Sequence, residues 1–333
     1  PNFVDRIIVV NDCSTDNTAD VVLSYIKEDR AIGKVITQAH AKTEENQYDR
    51  AERLLKEKQQ DDMRHYIPSE IANTYPDTDR VILINHLKNG GVGAAIARGY
   101  KWCLDHKIDC TAVMAGDGQM DPSELEKICK PVLSEDIDYV KGNRLIHGSA
   151  RLIIPKIRFF GNSMLSILTK IASGYWHVSD TQSGYTAISL AALNAIKIHD
   201  IYHAYGMPND MLVKLNIAFC TIKEVKIKPV YDIGEISKMK VYKVIPRISW
   251  LLFKSFFKRL WLKYLFRDFH PLFLLYHFAI ALGIMALPYG IKVLTHTLSG
   301  ETVSPTTMLA FFFLFTSSFQ SLLFAMWMDI QDN

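Results

Sequence analysis

"AGDGQMDP", residues 115–122, stands at a decision point in the chain. It follows the apolar run "CTAVM" and packs Asp117, Asp121, two glycines and a proline into eight positions. A strand that delivers a carboxylate into a glycine-rich turn makes either a surface turn or a metal site. On an extended segment alternate side chains share a face, so Asp117 and Gln119 are expected to project together. Two oxygen ligands of this kind suit a hard cation such as Mg2+ or Mn2+, which would in turn hold a diphosphate. On its own the stretch reads more readily as a plain turn. Its surroundings reverse that balance.

Working outward, the same design recurs. Residues 3–10 form an apolar run rich in Val and Ile that ends in "NDCSTDNTADVVLSYIKE", where Ser and Asp offer caps for an amphipathic helix. The chain opens on this strand without an initiator Met, so an earlier strand and its loop are expected upstream. "GKVIT" reads as a short strand, "RVILIN" as another that feeds the glycine-rich "HLKNGGVGAAIARGYKWCLDH" and a helix, and "DYVKGNR" as a further strand. Strands and helices alternating at this spacing predict an α/β class, a Rossmann-like, mostly parallel sheet. Ligands in such sheets bind beyond the carboxyl ends of the strands, where both "VVNDCS" and "VMAGDGQ" fall. Residues 38–78 break the pattern with high charge and little apolar content. They read as an exposed insertion that carries no chemistry.

The C-terminal part is built for another solvent. Of the 333 residues 49% are apolar, and the excess lies after residue 245. Residues 272–294 and 307–328 are each long enough to cross a hydrocarbon layer of about 30 Å. Before them, "KVIPRISWLLFKSFFKRLWLKYLFRDFHP" mixes Trp, Phe and Leu with Lys and Arg, the pattern of helices lying in a membrane interface. The intervening "THTLSGETVSP" has no Lys or Arg, which places the rest of the chain on the cytoplasmic side of a multi-pass membrane protein. The expected division is therefore 1–240 as a cytoplasmic globular domain, 241–270 as juxtamembrane amphipathic helices, and 271–333 as a two-helix transmembrane hairpin.

Other chemistries find no footing. A net charge of +3 is too small for nucleic-acid binding, so no nucleic acid is expected as a partner. The eleven histidines lack zinc-binding spacing, the five cysteines show no paired motif, and no GxSxG is present. A dinucleotide fold could use the glycines of "NGGVGAAIARG", but they do not follow the first strand and no acidic residue closes the next strand at the required distance.

What remains is a set of polar positions at strand ends. Asp12 is placed to accept a hydrogen bond from a nucleobase or ribose. Asn89 and Gly93 lie in a glycine stretch whose backbone can approach a ligand closely. Asp180 in "DTQSGYTA" and Asp210 in "YGMPNDML" stand before apolar segments, where each taken singly is a cap or a turn. As an ordered set, "VVNDCSTDNT", "NGGVGAAIARG", "MAGDGQMDP", "VKGNR", "SDTQSGYTA" and "YGMPNDMLVKLN" resemble family 2 glycosyltransferases, in particular polyprenyl-phosphate glycosyltransferases similar to dolichol-phosphate mannose synthase. The resemblance covers nearly the whole chain except 38–78. It implies a GT-A nucleotide-diphosphosugar fold, a divalent metal, and inversion at the anomeric carbon. By that resemblance Asp12 looks like the nucleoside-binding aspartate, and Asp117 and Gln119 look like the second Asp and the Gln of a DxDxQ metal motif. Asn11 and Cys13 depart from the usual residues beside Asp12. Ala115 stands where many members carry the first metal aspartate.

The implied partners are a nucleotide-sugar donor, a polyprenyl phosphate acceptor and membrane lipids, with room for a homo-oligomer. A polyprenyl phosphate is already anionic near neutral pH and needs no base, whereas a sugar hydroxyl must lose a proton. Asp210 matches the place where many relatives carry a catalytic carboxylate. Arg144 in "GNR" and Lys238 in "EISKMK" are the candidate acceptor-phosphate contacts, and Asp180 joins Asp210 and Arg144 as a catalytic candidate. Two alternatives stand beside this one: transfer to a glycan or lipid hydroxyl with Asp210 as general base, and a non-catalytic membrane scaffold of the same fold.

Overall fold

The computed structural model describes residues 2–28, 63–153, 156–230 and 241–333, together with 50, 51, 53, 54 and 57. Two compact units contain them: Pro1–Thr169 with Val178–Leu252, and Lys170–His177 with Phe253–Asn333.

In the first unit the uninterrupted run "VILIN" makes β3 (Val81–His86), whose Ile82, Leu83 and Ile84 are fully buried, as in a strand covered on both faces. It pairs in parallel with β1 (Ile7–Asn11), from Ile7 opposite Val81 to Asn11 opposite Asn85. The helix Val92–Asp105 lays Trp102 and Cys103 onto Ile82 and Ile84. On the other edge of β3 lies β2 (Ser69–Ile71), antiparallel to it. This corrects the boundary of the expected insertion. Residues 50, 51, 53, 54 and 57 are helical and exposed, but Ser69–Ile71 within "HYIPSEIA" belongs to the sheet, and Tyr66 is buried. A three-residue edge strand with a preceding proline and a glutamate carries little hydrophobic signal. The expected strand at 33–37 lies outside the described residues.

The second sheet has the order β4–β6–β5–β7, with β4 at Cys110–Val113, β5 at Tyr139–Asn143, β6 at Thr186–Ser189 and β7 at Ile222–Lys226. It is mixed rather than mostly parallel. β5 and β7 run together, whereas β6 opposes both β4 and β5. The cause is local: Asp180 accepts the Arg144 amide at 3.1 Å and Gly142 donates to the Tyr185 carbonyl at 2.8 Å. The chain therefore enters β6 at the end where β5 leaves, and must run back. Leu125, Ile128 and Cys129 of the helix Leu125–Ser134 pack on Val140, Tyr185, Ala187 and Ile227 beneath this sheet.

The second unit holds two helices of 28 residues each, Pro271–Leu298 and Pro305–Asp332, both long and apolar enough to cross a membrane. Each is about 42 Å long at 1.5 Å per residue. They run antiparallel at close range. Ser318 donates to the Ala279 carbonyl at 2.8 Å, a side chain at Gly283 would come within 3.1 Å of the Ser318 hydroxyl, and one at Gly290 within 2.8 Å of the Phe311 ring. Ala279 and Ala286 are buried in the same seam, while Phe312, Phe313, Phe315 and Phe319 are exposed. At one end a buried charge pair fastens the unit. Arg259 donates to both oxygens of Asp329, at 2.7 and 2.8 Å, and the Tyr264 and Tyr276 hydroxyls add bonds at 3.1 and 3.3 Å. Gly174, at φ 80°, admits the guanidinium, since a side chain there would lie 2.1 Å from Nη1. Ahead of these helices, Trp250, Phe253, Trp261 and Leu262 are all exposed.

Two outcomes follow. Asp329→Leu strands a buried guanidinium and should cost roughly 3–5 kcal/mol, whereas Arg259→Met with Asp329→Leu should recover more than half of it, read from thermal melts in detergent. Deleting 38–78 removes β2 and should disrupt the first sheet, while a deletion confined to 38–60 should leave the sheet content intact, checked by circular dichroism.

Candidate functional site

Asp12 follows β1 directly, and both of its carboxylate oxygens are bonded to the protein itself. Its Oδ1 accepts the Gly90 amide at 2.8 Å and faces His86 Nδ1 at 2.7 Å, and its Oδ2 accepts the Gly91 amide at 2.7 Å. The exposed Asn89 donates to the Asp12 carbonyl at 3.2 Å. The glycines that follow serve close packing of protein on protein. A side chain on Gly91, at φ 85°, would come within 2.6 Å of the His203 carbonyl, and one on Gly93 within 2.0 Å of the Tyr202 carbonyl. Gly93 also donates its amide to His203 at 2.9 Å.

The loop 115–121 gives its two aspartates different tasks. Asp121 is the turn residue: it caps the short helix Pro122–Glu124 by accepting from the Ser123 amide at 2.9 Å, and Lys228 lies 3.6 Å away. Hydrogen bonds from Ser123 hold its carboxyl below the usual range. Asp117 is exposed, with Oδ1 accepting the Gln119 amide at 3.0 Å. Gly118 between them has φ 76°, so the segment turns and the alternation expected of an extended strand does not apply. Ala115 donates its amide to the Met120 sulfur at 3.1 Å. Tyr185 donates to the Asp121 carbonyl at 3.0 Å, which ties this loop to the turn that precedes β6.

That turn is organised by buried charge. Asp180, 1% exposed, accepts from Arg144 Nε at 2.8 Å, from its Nη2 at 3.0 Å and from the Ser183 amide at 3.2 Å. Burial pushes the Asp180 carboxyl up, but the Arg144 guanidinium and Lys141 outweigh this and leave it below its ordinary value. Glu224 on β7 accepts the Ser179 and Asp180 amides at 2.8 and 2.9 Å and Asn143 Nδ2 at 2.7 Å. Lys141, fully buried on β5, donates to the Ser183 carbonyl.

Asp210 lies in the first turn of the helix Met207–Ile217, where Oδ2 accepts the Tyr202 amide at 2.9 Å and Lys214 Nζ at 2.5 Å. It thereby holds the 202–203 segment on which the glycine loop packs. Its neighbour Asn209 accepts from Gln182 at 2.7 Å and Thr169 at 3.1 Å. The N-terminus of this helix thus joins the Asp12 loop on one side to the Asp180 turn on the other. Asp12, Gly93, Asp180, Arg144 and Asp210 form one connected rim, and the Asp117 loop adjoins it through Tyr185. Lys238 lies outside the described residues.

Residues 61–197 match the family model described as glycosyl transferase family 2. These residues are a family 2 glycosyltransferase domain. The chain is 31% identical over 152 residues to a UDP-N-acetylglucosamine–dolichyl-phosphate N-acetylglucosaminyltransferase of Methanococcus voltae, covering 46% of this chain and 60% of the relative. It is 29% identical over 132 residues to an undecaprenyl-phosphate mannosyltransferase of Micrococcus luteus, covering 39% and 53%. The chain thus spans less than two thirds of the length of these curated relatives. Among solved structures it is similar to glucosyl-3-phosphoglycerate synthase from Mycobacterium tuberculosis in complex with Mn2+, uridine diphosphate and glucosyl-3-phosphoglycerate, at TM-score 0.36 and 16% identity over 51% of this chain and 55% of that one.

Among the described residues no three His, Cys, Asp or Glu side chains gather to hold a metal. One exposed carboxylate, Asp117, with an amide side chain two residues on fits a Mg2+-like ion that takes its other ligands from phosphate oxygens and water. Sequence reasoning missed His86, Lys141 and Asn143 in the family 2 domain, and Glu224 beyond it. The only signal for Lys141 was a cation in the middle of an apolar strand.

Burial pushes the Lys141 ammonium down from 10.5 to about 8, partly opposed by Asp180. The unfolded chain keeps that proton up to the ordinary lysine range and the folded chain releases it earlier. Raising the pH across this window therefore relieves a desolvation penalty and stabilises the fold. The melting temperature of the wild type, measured against Lys141→Met, should rise between pH 8 and 10.5.

Proposed function

We propose that the chain is an inverting, metal-dependent glycosyltransferase that moves a sugar from a nucleotide-sugar donor to a polyprenyl phosphate at the cytoplasmic face of a membrane. The observation that carries this is the family 2 domain followed, in the same chain, by two helices long and apolar enough to span a bilayer. The names of the two curated relatives agree with a polyprenyl phosphate acceptor.

Departure of the sugar leaves negative charge on the donor's β-phosphate. A Mg2+ or Mn2+ ion held by Asp117 and Gln119 would supply electrostatic stabilisation of that charge, greater in the transition state than in the ground state. Arg144 would meet the acceptor phosphate. Its guanidinium plane is already fixed by two bonds to Asp180, so little side-chain freedom is lost on binding. Asn143 and Glu224 keep Asp180 in place, and Lys238 is the second acceptor-phosphate contact. Asp210 already accepts from Lys214 and Tyr202 through one oxygen, which supports a positioning role and an acceptor that needs no base. The basic, aromatic stretch before the spans would hold the site at the depth of the lipid phosphate.

The test is incubation of membranes containing the protein with labelled nucleotide sugars and polyprenyl phosphate, followed by mass measurement of the lipid product. Chelation should abolish the product. Asp117→Ala should lower turnover by about a thousandfold, and Gln119→Ala by less, since water can replace a neutral ligand. Unchanged activity and metal dependence in Asp117→Ala would make the loop a structural turn. A product glycosylated on a hydroxyl would favour Asp210 as general base, and absence of turnover with every donor would favour the scaffold.

A further inference from the structure

The carboxyl ends of β1 and β3 carry two successive polar cross-strand pairs. In the first, Asn11 Nδ2 donates to Asn85 Oδ1 at 3.0 Å while Asn11 Oδ1 accepts the Ser14 amide at 3.1 Å. In the second, Asp12 faces His86, whose side chain is completely buried. A carboxylate only accepts, so the proton of this contact sits on His86 Nδ1. The second ring nitrogen, Nε2, is buried without a hydrogen-bond partner. A buried imidazole with one unpaired nitrogen is retained at a cost, and the bond it does make is to Asp12.

The Asp12 carboxylate gathers three donors, and two of them are consecutive backbone amides of the glycine loop. Gly91 has the positive φ that brings its amide round to Oδ2, and the His203 carbonyl closes the space where a side chain would go. We infer that Asp12 and His86 are positioning residues: they clamp the backbone of residues 89–93 and so fix the loop that the donor approaches. The inference rests on the proposal that this end of the sheet receives the nucleotide sugar. Asn11 fits the clamp as well. An aspartate there would lose the donor to Asn85 and set a second anion beside Asp12.

The test is amide hydrogen exchange of the full chain in detergent, without nucleotide, read on peptides covering 87–93 and, as a control, 139–143. Asp12→Asn replaces an accepting oxygen with a donor, and His86→Leu removes the imidazole. Both should speed exchange at 87–93 about tenfold or more, the scale of a lost hydrogen bond to a charged group, with 139–143 unchanged. His86→Asn restores an N–H near the position of Nδ1 and should exchange like the wild type. In turnover, His86→Leu should raise the donor KM more than it lowers kcat. Unchanged exchange in Asp12→Asn and His86→Leu overturns the clamp, as does a His86→Asn variant as fast as His86→Leu. Loss of nucleotide affinity in Asp12→Asn with exchange unchanged assigns Asp12 to direct nucleoside contact. Because the exchange measurement uses no nucleotide, its result stands whether or not the wild type turns over a nucleotide sugar.

Discussion

The buried carboxylate of Asp180 is the interaction on which the rim depends. An ionised carboxylate removed from water is tolerable only when its lone pairs are filled, and here Arg144, Ser183 and the Arg144 backbone amide fill them. Satisfying it sets the path of the chain. It brings the 179–185 turn to the end of β5, forces β6 to run back between β4 and β5, and presents Tyr185 to the Asp117 loop. Glu224 adds the third strand to the arrangement. The parallel register of β5 and β7 places Glu224 opposite Lys141, close to Asn143 and the amides of the turn. Removing any one of these groups would leave another buried and uncompensated, so the cluster specifies geometry as much as stability.

Much of the fold was legible because its signals are local. The apolar run of β3, the glycines before the helix Val92–Asp105 and the two long apolar helices each declare themselves within one window of sequence. β2 was hidden because an edge strand of three residues is read from its partner, and the partner lies a dozen residues away. The direction of β6 was hidden for a similar reason, being fixed by a carboxylate beyond its own ends. In the site, the candidate residues were found as types but their tasks were not. Gly118 adopts a positive φ that no composition announces, and this undoes the alternation on which the pairing of Asp117 with Gln119 rested. Asp12 read as an acceptor for a ligand and Asp210 as a catalytic carboxylate, yet both hold backbone amides of the protein. His86 and Glu224 gain meaning only from contacts across 74 and 81 positions of chain.

The seam of the two long helices has a consequence for transport. Alanines and glycines on one helix let the other approach until Ser318 bonds to a backbone carbonyl and Phe311 fills the space beside Gly290. Two helices closed in this way enclose no lumen between them, and Phe312, Phe313, Phe315 and Phe319 are exposed. Between themselves, these two helices therefore leave a polar molecule no passage.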